Sequence, residues 1–166
     1  MDQFGDRTRV CPCGGDRTKR HHRLRSVLAS KAHSAGLNPE MEKPGLLPPR
    51  PDTEDFEEET RNGPGRRPAD VWIGNWGVHG LAAFDLAVTS GMLQAVLPHT
   101  VLSGSHAALE YEARKRQYQD TQVQYPAQGL QFISLVAKAC GGGWGPSAMQ
   151  TWRSLAGLPQ LRDTGP

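Results

Sequence analysis

The stretch "RRPADVWIGNWGVHGLAAFDLAVTS", residues 66–90, holds two runs of strand character around a glycine-rich break. Each run contains one aspartate, Asp70 and Asp85, among residues that otherwise read as buried. A buried carboxylate is costly unless something compensates its charge. The glycines of "GNWGVHG" suit a turn, so the runs, about 69–73 and 81–88, are expected to pair as an antiparallel hairpin. With the hairpin centred between Gly77 and Val78, Val71 faces Phe84, Trp72 faces Ala83 and Asp70 faces Asp85. Side chains alternate along a strand. One face then holds Val71, Ile73, Ala82, Phe84, Leu86 and Val88, all apolar, and the other Asp70, Trp72, Ala83, Asp85 and Ala87. A one-residue slip would send an acid into the core, which favours this register.

Residues opposite each other in such a pair have Cβ atoms ~4.5–5.5 Å apart, so two carboxylates there repel. A divalent cation between them removes the repulsion, and hard oxygen ligands suit Mg²⁺ or Mn²⁺. Such an ion activates water and stabilises a phosphoryl transition state. The bland alternative has one acid ending a strand and the other paired with a nearby base; patterning alone leaves it the commoner outcome. A phosphodiesterase also wants a cation beside its acids. The same-face position after Asp85 is Ala87, so the nearest candidate is Lys115 in "LEYEARKRQY" (109–118). Tyr111, Lys115 and Tyr118 are spaced four and three and share a helical face. A solvated basic helix explains that spacing too, since Arg114 and Arg116 flank the lysine.

Outward from the hairpin, Leu24, Val27, Leu28, Ala32 and Ala35 recur at helical spacing from about Thr18 to Ala35, with Gly36 as the stop. Lys19, Arg20, Arg23 and Lys31 occupy the other face. "MEKPGLL" reads as a short extended segment. "PPRPDTEDFEEETRNGPG" (48–65) reads as a disordered acidic loop. A helix is expected over 105–119, with Ser103 or Ser105 as cap. "LQFISLVAKA" (130–139) reads as a third strand. "PSAMQTWRSLAG" reads as a closing helix with Met149, Trp152 and Leu155 inward. The fold class is α/β, a small mixed sheet with an antiparallel hairpin flanked by helices.

The chain has 166 residues, 37% of them apolar, with 13 prolines and 19 glycines, which implies one domain with a modest core and long loops. The net charge of +2 is unevenly spread: residues 1–50 hold ten Lys/Arg against five Asp/Glu, while "DTEDFEEET" (52–60) holds six acids and no base. The first segment suits a polyanion and the second does not. No run has signal-peptide length or the ~20 apolar residues of a membrane span, so the protein is expected to be soluble, off the membrane and not secreted, in nucleus or cytoplasm. Three cysteines make no disulfide framework. Cys11, Cys13, His21 and His22 form a candidate Zn²⁺ set, although Cys-Pro-Cys is tighter than the usual spacer, and incidental cysteines in a loop compete with it.

"CPCGGDRTKRHHRLR", "AGLNPEMEKPGLLPPRP", "RRPADVWI", "AAFDLAVTS", "YEARKRQY" and "FISLVAKACGGGWGPSAMQTWRSLA", in this order, resemble the C-terminal restriction-like endonuclease region of non-LTR retrotransposon reverse transcriptases and the segments before it. The resemblance runs from about Gly5 to Ala156. It implies the PD-(D/E)XK nuclease superfamily, with a central mixed sheet flanked by helices. It implies Asp70 and Asp85 as metal acids, Lys115 as the lysine displaced into the following helix, and Tyr118 as the downstream tyrosine. The implied reaction is Mg²⁺-dependent nicking of target DNA, in a nucleus, beside element RNA and a reverse-transcriptase module. It divides the chain into a cysteine-containing segment 1–16, a nuclease domain 17–158 and a tail 159–166. Departures are Arg7 for a histidine of a "GDHA"-like segment, Ser26 where an acid is frequent and Lys138 where Glu is frequent. Glu42 remains an acid near the metal or on the surface. Without room for a polymerase, the chain is expected to be a truncated copy.

On this reading Lys19, Arg20, Arg23 and Arg25 grip DNA phosphates without reading sequence. The alternatives are a catalytically inactive nucleic-acid-binding remnant, served by the basic helix with Trp72 and Trp76, or an inert fragment of a reverse-transcriptase polyprotein.

Overall fold

A computed structural model of the protein describes residues 16–48, 69–77, 80–90, 97–139 and 143–158. The cysteines, the acidic loop beyond Pro48 and the tail from 159 lie outside the described residues. Helix α1 spans Asp16–Ser34. It ends on Gly36, whose φ of +74° suits the residue without a Cβ. The Gly36 amide donates to the His33 carbonyl at 2.9 Å and the Leu37 amide to the Ala32 carbonyl at 3.0 Å. That pattern satisfies the last carbonyls and turns Leu37 back onto the core.

Strand β1 is Pro39–Met41, just upstream of the extended segment expected at "MEKPGLL". Strands β2 (Val71–Trp76) and β3 (Gly80–Thr89) form the expected hairpin. Val71 pairs with Phe84 and Trp72 with Ala83, the register that the alternation predicts. The register shifts between Ile73 and Trp76, so β2 runs on through part of the anticipated turn. The chain then crosses over through three helices, α2 (Leu97–Leu102), α3 (His106–Gln117) and α4 (Thr121–Ala127), before β4 (Gln131–Lys138). Helices α2 and α4 are additions to the sequence reading. Ser105 precedes α3, but its side chain makes no capping hydrogen bond. Helix α5 (Pro146–Gly157) closes the described chain.

The sheet has four strands in the order β1-β2-β3-β4, with β1·β2 and β2·β3 antiparallel and β3·β4 parallel. The larger core joins Val71, Ile73, Ala82, Phe84, Leu86 and Leu135 to Leu28 and Ala32 of α1 and Ala148 and Leu155 of α5. Each large side chain buried there contributes ~1.5–3 kcal/mol. Val27 instead stays half exposed. The other face is also covered: Ala83 packs with Tyr125 of α4, Leu47 and Leu130. On α5 the buried positions are Ala148, Thr151 and Leu155. Trp152 packs against the core edge-on to Trp144, while Met149 is exposed, a correction to the expected inner stripe.

Candidate active site

Asp70 precedes β2, and its backbone is pinned on both sides. Its amide donates to the Phe84 carbonyl at 2.9 Å, and its carbonyl accepts the Glu42 amide at 3.0 Å. Its carboxylate Oδ2 accepts the Leu86 amide at 2.6 Å. The same oxygen lies 3.1 Å from Nε2 of His21, on the first half of α1. An ionised carboxylate only accepts, so Nε2 is the donor. Among the described residues nothing donates to Oδ1.

Asp85 lies within β3, opposite Ser134 of β4. Lys115 of α3 donates to Asp85 Oδ1 at 3.3 Å and sits 3.1 Å from Oδ2. Oδ2 is buried and accepts no hydrogen bond. Burial raises the Asp85 carboxyl pKa, the Lys115 charge opposes this, Asp70 adds to it, and the net value lies above the ordinary one. Two carboxylates close enough to repel through space are thus present at this end of the sheet. For Lys115, burial favours the neutral amine, but the charge and hydrogen bond of Asp85, then Tyr111 and Asp70, outweigh it. The ammonium is held above the usual lysine value. Lys115 is therefore a fixed cation at neutral pH.

Other candidate residues are placed differently from the sequence reading. Tyr118 follows the end of α3, and its ring is 59% exposed. It stays outside the cluster; the aromatic ring beside Lys115 is that of Tyr111, with the ammonium 6.0 Å from its centroid. Arg25, expected to grip phosphate, is ion-paired with Glu42 and only 14% exposed. That pair draws Glu42 towards α1, while Lys43 covers the Trp72 ring at 3.6 Å. Trp76 is buried edge-on against Phe84 and is closed to a nucleobase. Lys19 and Arg23 are exposed and Arg20 is half-buried.

His21, placed in the zinc set by sequence, is bonded to Asp70 instead, with the His22 ring 6.0 Å away. Cys11 and Cys13 lie outside the described residues. Among the described residues no group of three or more His, Cys, Asp and Glu side chains is placed to hold a metal ion. Mg²⁺, however, is commonly bound by one or two carboxylates with water and phosphate oxygens completing the shell. Asp70 fits that requirement through the oxygen that His21 and the Leu86 amide leave open, and Asp85 fits it as the neighbouring carboxylate, with the Lys115 ammonium 3.1 Å from its Oδ2. Ser134, 1% exposed with an unpartnered hydroxyl beside Asp85, escaped the sequence reading. Its signal was a lone polar residue inside "FISLVA".

Among the described residues no helix is long and apolar enough to cross a membrane. No protein-family model and no curated protein matches the chain.

Proposed function

We propose that the chain is a metal-dependent DNA endonuclease domain of PD-(D/E)XK type, akin to the endonuclease region of non-LTR retrotransposon reverse transcriptases. One observation carries the reading. Asp70, Asp85 and Lys115, from three separate segments, come together, with both oxygens of Asp85 against the Lys115 ammonium and one oxygen of Asp70 held by the Leu86 amide and His21.

A bound Mg²⁺ or Mn²⁺ supplies an activated water and neutralises charge at the scissile phosphate. Asp70 and Asp85 are the residues that would hold it. His21 and the Leu86 amide grip one oxygen of Asp70 and so fix its orientation. Lys115 stays charged and faces the developing negative charge, without acting as a base. Lys19, Arg20 and Arg23 bind backbone phosphates.

The test is nicking of supercoiled plasmid in Mg²⁺ by the wild-type chain, Asp70→Ala and Asp85→Ala. Open circles from the wild type alone, abolished by EDTA, are expected. Equal nicking by all three sinks the reading. The exposed Lys19 and Arg23 of the basic helix favour a second reading, a binding module without catalysis, for which DNA affinity is indifferent to EDTA and no nicked product forms.

A further inference from the structure

Asp85 and Ser134 are register partners on the parallel strands β3 and β4. Neighbouring strands lie ~4.8 Å apart, and residues in register send their side chains to the same face. On that face Ala83 and Ala87 flank Asp85 along β3, and Phe132 and Val136 flank Ser134 along β4. The acid therefore has a hydroxyl as its lateral neighbour in an otherwise apolar patch. Ser134 is 1% exposed, and among the described residues its Oγ finds no hydrogen-bond partner. A buried hydroxyl left unbonded is costly, and an alanine would fill the same place without that cost.

The two carboxylates are held unequally. Asp70 is gripped by the Leu86 amide and His21. Asp85 has the Lys115 ammonium against both oxygens, at 3.3 and 3.1 Å. That ammonium is repelled by any divalent ion bound to Asp85. In the nuclease reading it also turns to the charge that develops on a phosphate. Asp85 then needs another donor, at a depth that water does not reach. Rotation about the Cα–Cβ bond moves a serine hydroxyl between staggered positions, and each hydroxyl has one proton to donate.

We propose that Ser134 is a positioning residue for Asp85: its hydroxyl donates to the Asp85 carboxylate once a divalent ion is bound. The assignment rests on the reading of Asp70 and Asp85 as metal acids. Its burial keeps the hydroxyl from substrate, so it acts through Asp85.

The test measures the Mn²⁺ affinity of the full chain, from the electron paramagnetic resonance signal of the free ion, and the thermal unfolding midpoint in EDTA. Ser134→Ala is expected to weaken Mn²⁺ binding about tenfold. Its midpoint in EDTA should equal or exceed that of the wild type, because the hydroxyl is unbonded without the ion. Ser134→Thr, which keeps the hydroxyl, is expected to bind Mn²⁺ as the wild type does. A merely structural serine gives the reverse, a lower midpoint with wild-type Mn²⁺ affinity in Ser134→Ala. Wild-type Mn²⁺ affinity in Ser134→Ala overturns the proposal, and plasmid nicking by the wild type then leaves the nuclease reading standing. Weakened Mn²⁺ binding in Ser134→Ala, without nicking by the wild type, supports the positioning role and rejects the nuclease reading. A wild type that binds no Mn²⁺, or an Asp85→Ala variant that binds it as tightly, overturns both.

Discussion

Glu112 of α3 is bonded twice to Ser147 at the start of α5: Oε1 accepts the Ser147 amide at 3.2 Å and Oε2 its hydroxyl at 2.7 Å. The Nη2 atom of Arg116 adds a contact to Oε2 at 3.3 Å. The first turn of a helix has amides with no intrahelical partner, and Gly145 before α5 offers no side chain to cap them. A carboxylate from another helix does so, and it is only 2% exposed. Lys115 sits one turn further along α3, so this bond also sets where the ammonium lies.

Glu112→Ala is expected to cost about 1–3 kcal/mol, read from urea unfolding, because it removes a buried carboxylate that accepts from a half-buried amide and hydroxyl. A Cβ at Gly145 would stand 2.5 Å from Oε1 of Glu112 and 3.1 Å from the Ala108 Cβ. Gly145→Ala alone should therefore cost ~1–3 kcal/mol. The double variant should lose less than the sum, since Glu112→Ala removes the closer clash. Strict additivity would show that the two residues do not meet.

The Asp85–Lys115 pair predicts a signed pH dependence. Both groups bind their proton more tightly folded than unfolded. Each then contributes stability that is complete below its unfolded pKa and lost as pH rises through the folded one. For Asp85 the loss begins near pH ~3.9, and for Lys115 near ~10.4. The stability gap between the wild type and Lys115→Met should be flat across mild alkali and narrow above ~10.4. A gap that widens there would contradict the raised lysine. In nicking, the acid limb should fall at a higher pH than an ordinary aspartate gives.

The hairpin register was legible because both runs alternate cleanly and each holds one acid. The shift between Ile73 and Trp76 was not, since it depends on backbone geometry near Gly77, whose φ is +51°. Helix α4 was hidden by Pro126 within it and by Asp120 before it, in the left-handed region at φ +55°. The inner face of α5 was misread because periodicity weighs large apolar residues. The bonds of Ser147 to Glu112 and of Gly145 to the Val136 carbonyl set the helix rotation, so small Ala148 and Thr151 face inward. Thr151 satisfies its buried hydroxyl on the Ser147 carbonyl at 2.9 Å. That Lys115 comes to Asp85 followed only from the resemblance, since spacing alone favoured a solvated basic helix. The role of His21 was not legible, because no spacing relates it to an acid 49 residues away.

Arg25 and Arg23, two residues apart on α1, should separate by experiment. Arg25 is tied to Glu42, so Arg25→Ala is expected to cost about 1 kcal/mol or less of stability and to leave the salt slope of DNA binding unchanged. Arg23 is exposed, so Arg23→Ala should leave the unfolding midpoint alone and reduce the slope by ~0.7–0.9. Reversed outcomes would restore Arg25 as the phosphate contact.

His21 offers the sharpest test of how the carboxylates are held. Its Nε2 and the Leu86 amide both reach the same oxygen of Asp70, which leaves the other oxygen to face a ligand. Removing the imidazole lets that carboxylate turn, with no basic group lost from the exposed face of α1. His21→Ala should therefore lower nicking about 10–100-fold, and more metal should partly restore it. Oligonucleotide affinity in EDTA should not change. Tyr118→Phe, at a ring outside the cluster, should stay within about twofold of wild type. Should His21→Ala nick at the wild-type rate and metal dependence while Tyr118→Phe fails, the orienting contact lies on α3 and not on α1.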